Sequence, residues 1–127
     1  MQNFRKPERL CSRKSIGKLF SDGNSLFNYP FKILWLENNI DSPVVARMAV
    51  SVPARKVKKA ADRNRIKRLV REGWRINKKN LYESGAFQNR SIDIILVYVS
   101  DRVYDYELIN KSVIELIDKL ISINESG

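Results

Sequence analysis

The stretch VVARMAVSVPARKVKKAADRNRIKRLVREGWRINKK, residues 44–79, changes its period halfway along. From Val44 to Val52 the chain alternates as a strand does: Val44, Ala46, Met48, Val50 and Val52 share the apolar face, and Val45, Arg47, Ala49 and Ser51 the other. Pro53 has no backbone N–H to give to a ladder and ends that pattern. Past Asp62 the spacing becomes helical. At about 100° per residue, Ile66, Leu69, Val70, Gly73, Trp74 and Ile76 fill an arc of about 160°. Asn64, Lys67, Arg68, Arg71 and Arg75 gather within about 100° on the opposite side, with Arg63 and Arg65 at the margins. A strand feeding a helix of this kind predicts an α+β fold in which the apolar arc docks on the sheet. Gly73 sits mid-stripe, where it costs about 1 kcal/mol relative to alanine; the missing side chain suits a close approach to the sheet.

The flanking segments extend the pattern. Ser12 to Phe20 reads as a short helix, with Ile16, Leu19 and Phe20 on one face and Gly23 as its stop. FKILWL (31–36) alternates, Phe31, Ile33 and Trp35 against Lys32, Leu34 and Leu36, and ENNIDSP (37–43) carries turn chemistry. The runs 31–36 and 44–52 are therefore expected to pair antiparallel. After a loop containing Gly85, SIDIILVYV (91–99) is apolar on both faces, as a central strand is. Asp105 is the expected N-cap of a last helix whose stripe is Ile109, Val113, Leu116, Ile117 and Leu120. The order is α-β-β-α-β-α, a single-domain two-layer sandwich over residues 1–127, with residues 1–8 and 122–127 expected to fray.

Charge narrows the function. The chain of 127 residues carries a net charge of +10, and residues 53–80 hold all of it: twelve Lys and Arg against Asp62 and Glu72. Residues 1–20 add a smaller basic block, and the chain from Leu81 onward is acidic. Solvated helices usually interleave acids one turn away to relieve repulsion; the row Asn64, Lys67, Arg68, Arg71 and Arg75 has none, and arginine suits bidentate phosphate contacts. Nucleic acid or an anionic membrane face answers such a row. Membrane binding would need the apolar arc that the strands require for their own core, and the longest apolar run, Ile94 to Val99, is far short of the ~20 residues of a spanning helix. Duplex DNA and a structural RNA such as a ribosomal one remain open alternatives.

The chain is poorly equipped for chemistry of its own. It has no histidine, which removes the commonest acid–base group and transition-metal ligand. Cys11 is the only cysteine, so no disulfide or cysteine metal cluster forms within the chain, as suits a reducing, cytoplasmic setting. No Gly-rich phosphate loop and no secretory signal is visible, and the acids are dispersed. No catalytic and no metal-ligating residue is expected in the protein.

The run Arg63-Asn64-Arg65-Ile66-Lys67-Arg68-Leu69-Val70-Arg71-Glu72 resembles the RNR signature of the bacterial ribonuclease P protein subunit. Ser51-Val52, the basic lead-in from Arg55-Lys56 to Lys58-Lys59-Ala60, Arg9-Leu10, Phe20, Gly23, Phe31 and Tyr106-Glu107 resemble that family at matching spacing. The resemblance covers nearly the whole chain and implies a left-handed crossover between parallel strands. It implies two partners: a catalytic RNA, whose Mg²⁺ ions carry out the cleavage, and the 5′ leader of precursor tRNA, held between the first helix and the sheet. Neither a membrane nor a small-molecule substrate is implied. By resemblance, Arg63, Asn64, Arg65, Lys67, Arg68 and Arg71 contact the catalytic RNA, and Arg75 joins them from the outward row; Arg63 points nearer the apolar arc, which leaves a neighbouring loop as its alternative contact. Phe20, Lys32, Arg47 and Ser51 line the leader cleft, with Arg55 and Lys56 where the RNA and the leader approach. Two positions depart from the family pattern: Ile16 and Leu34 stand where aromatic residues are common. A base stacked on an aromatic ring gains about 1–3 kcal/mol, so a weaker hold on leader bases is expected. Trp35, of opposite parity to Leu34, is expected in the core.

Overall fold

Seven elements follow one another in the computed structural model, which describes residues 9–10, 12–38, 46–84 and 91–126: α1 (Arg13–Asp22), β1 (Asn24–Asn28), β2 (Phe31–Asn38), β3 (Ala46–Ser51), α2 (Ala60–Glu83), β4 (Ser91–Tyr98) and α3 (Tyr106–Ser126). The sheet order is β1-β2-β4-β3. β1–β2 and β2–β4 are antiparallel, and β3 lies parallel to β4. The α+β class stands, with β1 added to the expected elements. NSLFN carries one core-facing apolar residue, Leu26, between turn-forming neighbours, too little alternation to announce a strand.

The expected pairing of runs 31–36 and 44–52 is not observed: β4 lies between them. Apolar on both faces, β4 takes the centre, where it is buried along nearly its whole length. Parallel neighbours need a crossover of a dozen residues or more, and α2 supplies it between β3 and β4. Val44 and Val45, Gly85, Cys11 and residues 1–8 lie outside the described residues.

The main core is built between one face of the sheet and the helices α2 and α3. Phe31, Ile33, Met48, Ile94, Leu96 and Tyr98 supply the sheet side, and Ile66, Val70 and Trp74 the α2 side. All five members of the predicted α3 stripe, Ile109, Val113, Leu116, Ile117 and Leu120, are buried there. Phe31 and Tyr98 meet edge to face at 5.5 Å. The Tyr98 hydroxyl donates to the Arg102 carbonyl at 2.5 Å, and burial pushes its pKa up to about 12. Trp35 packs partly buried against this core. Ile76 does not belong to it; at 40% exposure it stands outside the apolar arc assigned to it.

One helix feature differs from expectation for an identifiable reason. Gly73 makes its close approach to α3, not to the sheet: a Cβ there would lie 3.3 Å from Asn110 Oδ1 and 3.5 Å from Val113 Cγ2. Asn77 stitches the crossing, its Nδ2 donating to Gly73 O at 2.8 Å and to Asn110 Oδ1 at 2.7 Å. Thus α2 packs chiefly along α3 and meets the sheet at its β3 edge. At the start of α3, Asp105 Oδ1 accepts from Leu108 N at 3.1 Å, the expected cap. The helix then continues to Ser126.

The helices do not all lie on one side. α1 covers the other face of the sheet, burying Leu19 with Leu34, Ile95 and Leu10 in a second, smaller core. Ser12 caps α1 by accepting from Ser15 N at 3.2 Å. At its other end Gly23 donates to Leu19 O at 2.9 Å, and a Cβ at Gly23 would collide with that carbonyl. With Leu19 as its one fully buried residue, α1 roofs only part of this face.

Candidate nucleic-acid interface

On the face that α1 partly roofs, strand register sorts the side chains into rows. Leu36, Asp93 and Arg47 form one row; Ser25, Leu34, Ile95 and Ala49 the next; Phe27, Lys32, Val97 and Ser51 the third. α1 sits over the middle row, where Leu34 and Ile95 are buried. The third row stays open: Lys32 is exposed, and Val97 and Ser51 are half-buried.

Beside that row a groove of about 440 Å³ runs between α1, β3 and α2. Phe20 and Ile16 line it from α1, Ala49 and Ser51 from β3, and Lys67 and Arg71 from α2. Phe20 is 58% exposed because Leu19 takes the inward position on α1. Two sets of residues that the sequence assigned to different RNA segments, Phe20 and Ser51 on one side and Lys67 and Arg71 on the other, thus face the same space. Arg9 also lines the groove, carried there by a bridge that runs residues 9 and 10 alongside Met48, with Leu10 N donating to Met48 O at 3.1 Å. Arg9 is absent from the predicted site, although the basic block of residues 1–20 is the signal that could have found it.

Asn64, Arg65, Arg68 and Arg71 are exposed along α2, and among the described residues no carboxylate pairs with them. A row of unpaired guanidinium groups on a rigid helix raises the local potential for phosphate. The row is not uniform. Arg75 is half-buried and donates to Glu72 at 3.1 and 2.5 Å, so an acid does reach this end of the row. That hydrogen bond holds the Glu72 carboxyl below its usual range and raises Arg75 in return. Arg63 turns back: its Nη1 donates to the carbonyls of Val57 (3.0 Å) and Lys58 (2.7 Å), clamping the lead-in against the helix start. Arg55 and Lys56 are exposed on that lead-in, which turns back on Pro53 O through Lys56 N and Val57 N.

Arg47 also has a partner in the fold. Its Nε and Nη2 reach Asp93 at 2.8 and 2.9 Å, and Nη2 also lies 3.5 Å from Ser15 Oγ on α1. Asp93 is buried and accepts a further bond from Asn38 Nδ2 at 2.7 Å. The paired Arg47 therefore ties α1 to the strands on the side away from the open row. No three His, Cys, Asp or Glu side chains gather as metal ligands among the described residues.

An α+β domain with a cationic helix and an open sheet face meeting at one groove has the make-up of a nucleic-acid-binding module. The profile of the family described as Ribonuclease P matches residues 4–121. The chain belongs to the ribonuclease P protein family. It is 33% identical over 109 residues to the ribonuclease P protein component of Porphyromonas gingivalis, covering 84% of this chain and 78% of that one. The Thermotoga maritima protein component is 39% identical over 77 residues, covering 61% and 62% of the two chains. The solved ribonuclease P protein of Thermotoga maritima superposes with a TM-score of 0.68 at 27% identity, over 88% of this chain and 96% of that one. The Staphylococcus aureus structure, at 23% identity and a TM-score of 0.68 over 89% and 94% of the chains, shares the fold. The chain is thus a protein component of the ribonuclease P endoribonuclease, acting with an RNA partner in 5′ processing of tRNA.

Proposed function

We propose that α2 docks on the catalytic RNA of the holoenzyme while the groove between α1 and the sheet holds the 5′ leader of precursor tRNA. The observation that carries this reading is the shared groove: Phe20 and Ser51 face the same 440 Å³ as Lys67 and Arg71. A strand leaving the surface of the docked RNA would enter the protein without crossing open solvent. Asn64, Arg65, Arg68 and Arg71, exposed and in series, suit a folded RNA surface. Arg75 contributes through its pair with Glu72, and Arg63 by holding the lead-in that presents Arg55 and Lys56. Lys32 serves leader phosphates from the open row, and Arg47 orients α1 over the sheet.

Hydrolysis is assigned to the RNA partner and the Mg²⁺ ions it holds. Among the described residues no three His, Cys, Asp or Glu side chains gather, and the oxygens of buried Asp93 are engaged by Arg47 and Asn38. The chain's own work is positioning and neutralisation: it releases counterions from two RNA segments and holds the scissile region in one orientation. The work is assigned to the cytoplasm, where a lone thiol stays reduced; no helix among the described residues is long and apolar enough to cross a membrane.

The test is reconstitution. Added to a bacterial catalytic RNA at low Mg²⁺, the protein is expected to restore removal of the 5′ leader, because its cations replace screening that the metal otherwise provides. A protein that binds that RNA yet leaves cleavage unstimulated would refute the assignment.

A further inference from the structure

The open row ends at the far edge of the sheet in a ring that the site described above leaves unused. Phe27 lies in β1 directly across from Lys32. Its neighbour Leu26 turns to the main core, so the Phe27 side chain stands on the α1 side of the sheet. It is 59% exposed, and among the described residues its ring has no aromatic or cationic partner. Tyr29, close by in sequence, differs: its hydroxyl is bonded to Ser100 and Tyr104, and its ring meets Tyr104 edge-on at 6.0 Å. A large bare ring on an edge strand does nothing for the core and invites aggregation, so a ligand is the better account of it.

The surroundings specify that ligand. Lys32, between Phe27 and Val97 in the row, is exposed and supplies a cation. The one acid that the described strands carry on this face, Asp93, lies two rows away and is held by Arg47 and Asn38. Sheets that bind single-stranded RNA use this combination, aromatic rings standing on the strands with cations between them. Neighbouring strands are ~4.8 Å apart, so Phe27 lies about 14 Å across the sheet from Ser51. At ~3.4 Å per stacked nucleotide that gap spans about four nucleotides, fewer where the strand is extended.

We infer that Phe27 is a second base-stacking platform: it receives an unpaired base of the RNA strand a few nucleotides beyond the one held at Phe20 and Ser51, and Lys32 meets the phosphates between. This rests on the proposal that the groove holds the leader. It adds that the binding track continues over the open row to the outer edge of β1.

The holoenzyme, assembled from this chain and catalytic RNA, is tested with precursor tRNAs carrying leaders of about two and about eight nucleotides, the longer one able to cross the gap. The wild type is expected to bind the long leader more tightly. Phe27→Leu, apolar but without a ring, should lose about 5- to 10-fold of that preference, and Phe27→Trp should keep it. A 2-aminopurine in the distal leader should be quenched by the wild type and by Phe27→Trp, but not by Phe27→Leu. Full preference retained by Phe27→Leu would overturn the platform and leave the leader groove standing. A wild type indifferent to leader length would remove the groove reading and this one with it. Equal loss in the Leu and Trp variants, accompanied by a lower Tm, would make Phe27 a structural residue and also overturn the inference.

Discussion

The two faces of the sheet are made by the same strands, one residue out of phase, yet they are finished differently. Under α2 and α3, Phe31, Ile33, Ile94 and Leu96 are buried completely in a continuous apolar layer. Under α1, Leu34 and Ile95 are covered, but the adjoining row reaches solvent with Lys32 and Ser51. The first face takes the apolar stripes of two long helices. The second takes a ten-residue helix with one fully buried side chain. The difference lets a small domain serve two ends at once: stability is concentrated on one face, and the half-roofed face is the one to which binding is assigned. Single residues on either side of the period-2 alternation should therefore report on different properties.

Two phenylalanines make the widest contrast. Phe31 is fully buried against Tyr98, so Phe31→Ala should cost about 3–5 kcal/mol of stability. Phe20 is largely exposed, and Phe20→Ala should stay within about 0.5 kcal/mol while weakening capture of a leader-bearing substrate. Chemical denaturation of both variants, with substrate binding measured alongside, checks the pair. Comparable losses of stability would erase the distinction between the faces.

Arg47 sharpens the boundary between them. It has the parity of the open face but belongs to the row that is closed by Asp93, Asn38 and Ser15. Arg47→Met leaves a buried carboxylate short of its main partner. A cost of about 2–3 kcal/mol is expected, below the ~3–5 of a fully buried pair because the guanidinium keeps some contact with water. Replacing both partners, Arg47→Met with Asp93→Leu, should recover most of that loss. The alternative outcome is a stable Arg47→Met protein that binds substrate poorly; it would move Arg47 into the binding surface and widen the open face by two rows.

What the sequence made legible follows the same divide. Period and capping located α1, β2, β3, α2, β4 and α3, the central place of β4, and every buried position of the α3 stripe. Strand pairing was not legible, because alternation tells which face a residue takes and not which strand lies beside it. β1 escaped because an edge strand with a single inward residue carries almost no periodic signal. The outward arginines of α2 were found by angle alone, and angle also set Arg63 toward a neighbouring loop, but it cannot show which carbonyls Arg63 meets or that Glu72 reaches Arg75. Those are rotamer choices, set by neighbours that a helical wheel omits. Gly73 was correctly read as a point of close approach and assigned the wrong partner, since the wheel gives a direction and not what lies in it.

The finest distinction lies within the α2 row itself. Arg68 and Arg71 are exposed and reach no carboxylate among the described residues, whereas Arg63 is bound to the backbone of the lead-in. If the first two meet phosphate, Arg68→Ala and Arg71→Ala should each flatten the dependence of log K on log salt by about 0.7–0.9 per lost contact. Arg63→Ala should leave that slope nearly unchanged and lower the Tm instead, because two carbonyls lose their donor. Arg75→Ala belongs between these limits, since Glu72 already screens the charge that the RNA would meet. Titrations of the catalytic RNA at several salt concentrations, with a melt of each variant, separate the three cases. A slope change for Arg63 equal to that for Arg68 would mean that its guanidinium leaves Val57 and Lys58 when RNA arrives, so that the lead-in carrying Arg55 and Lys56 is repositioned on binding.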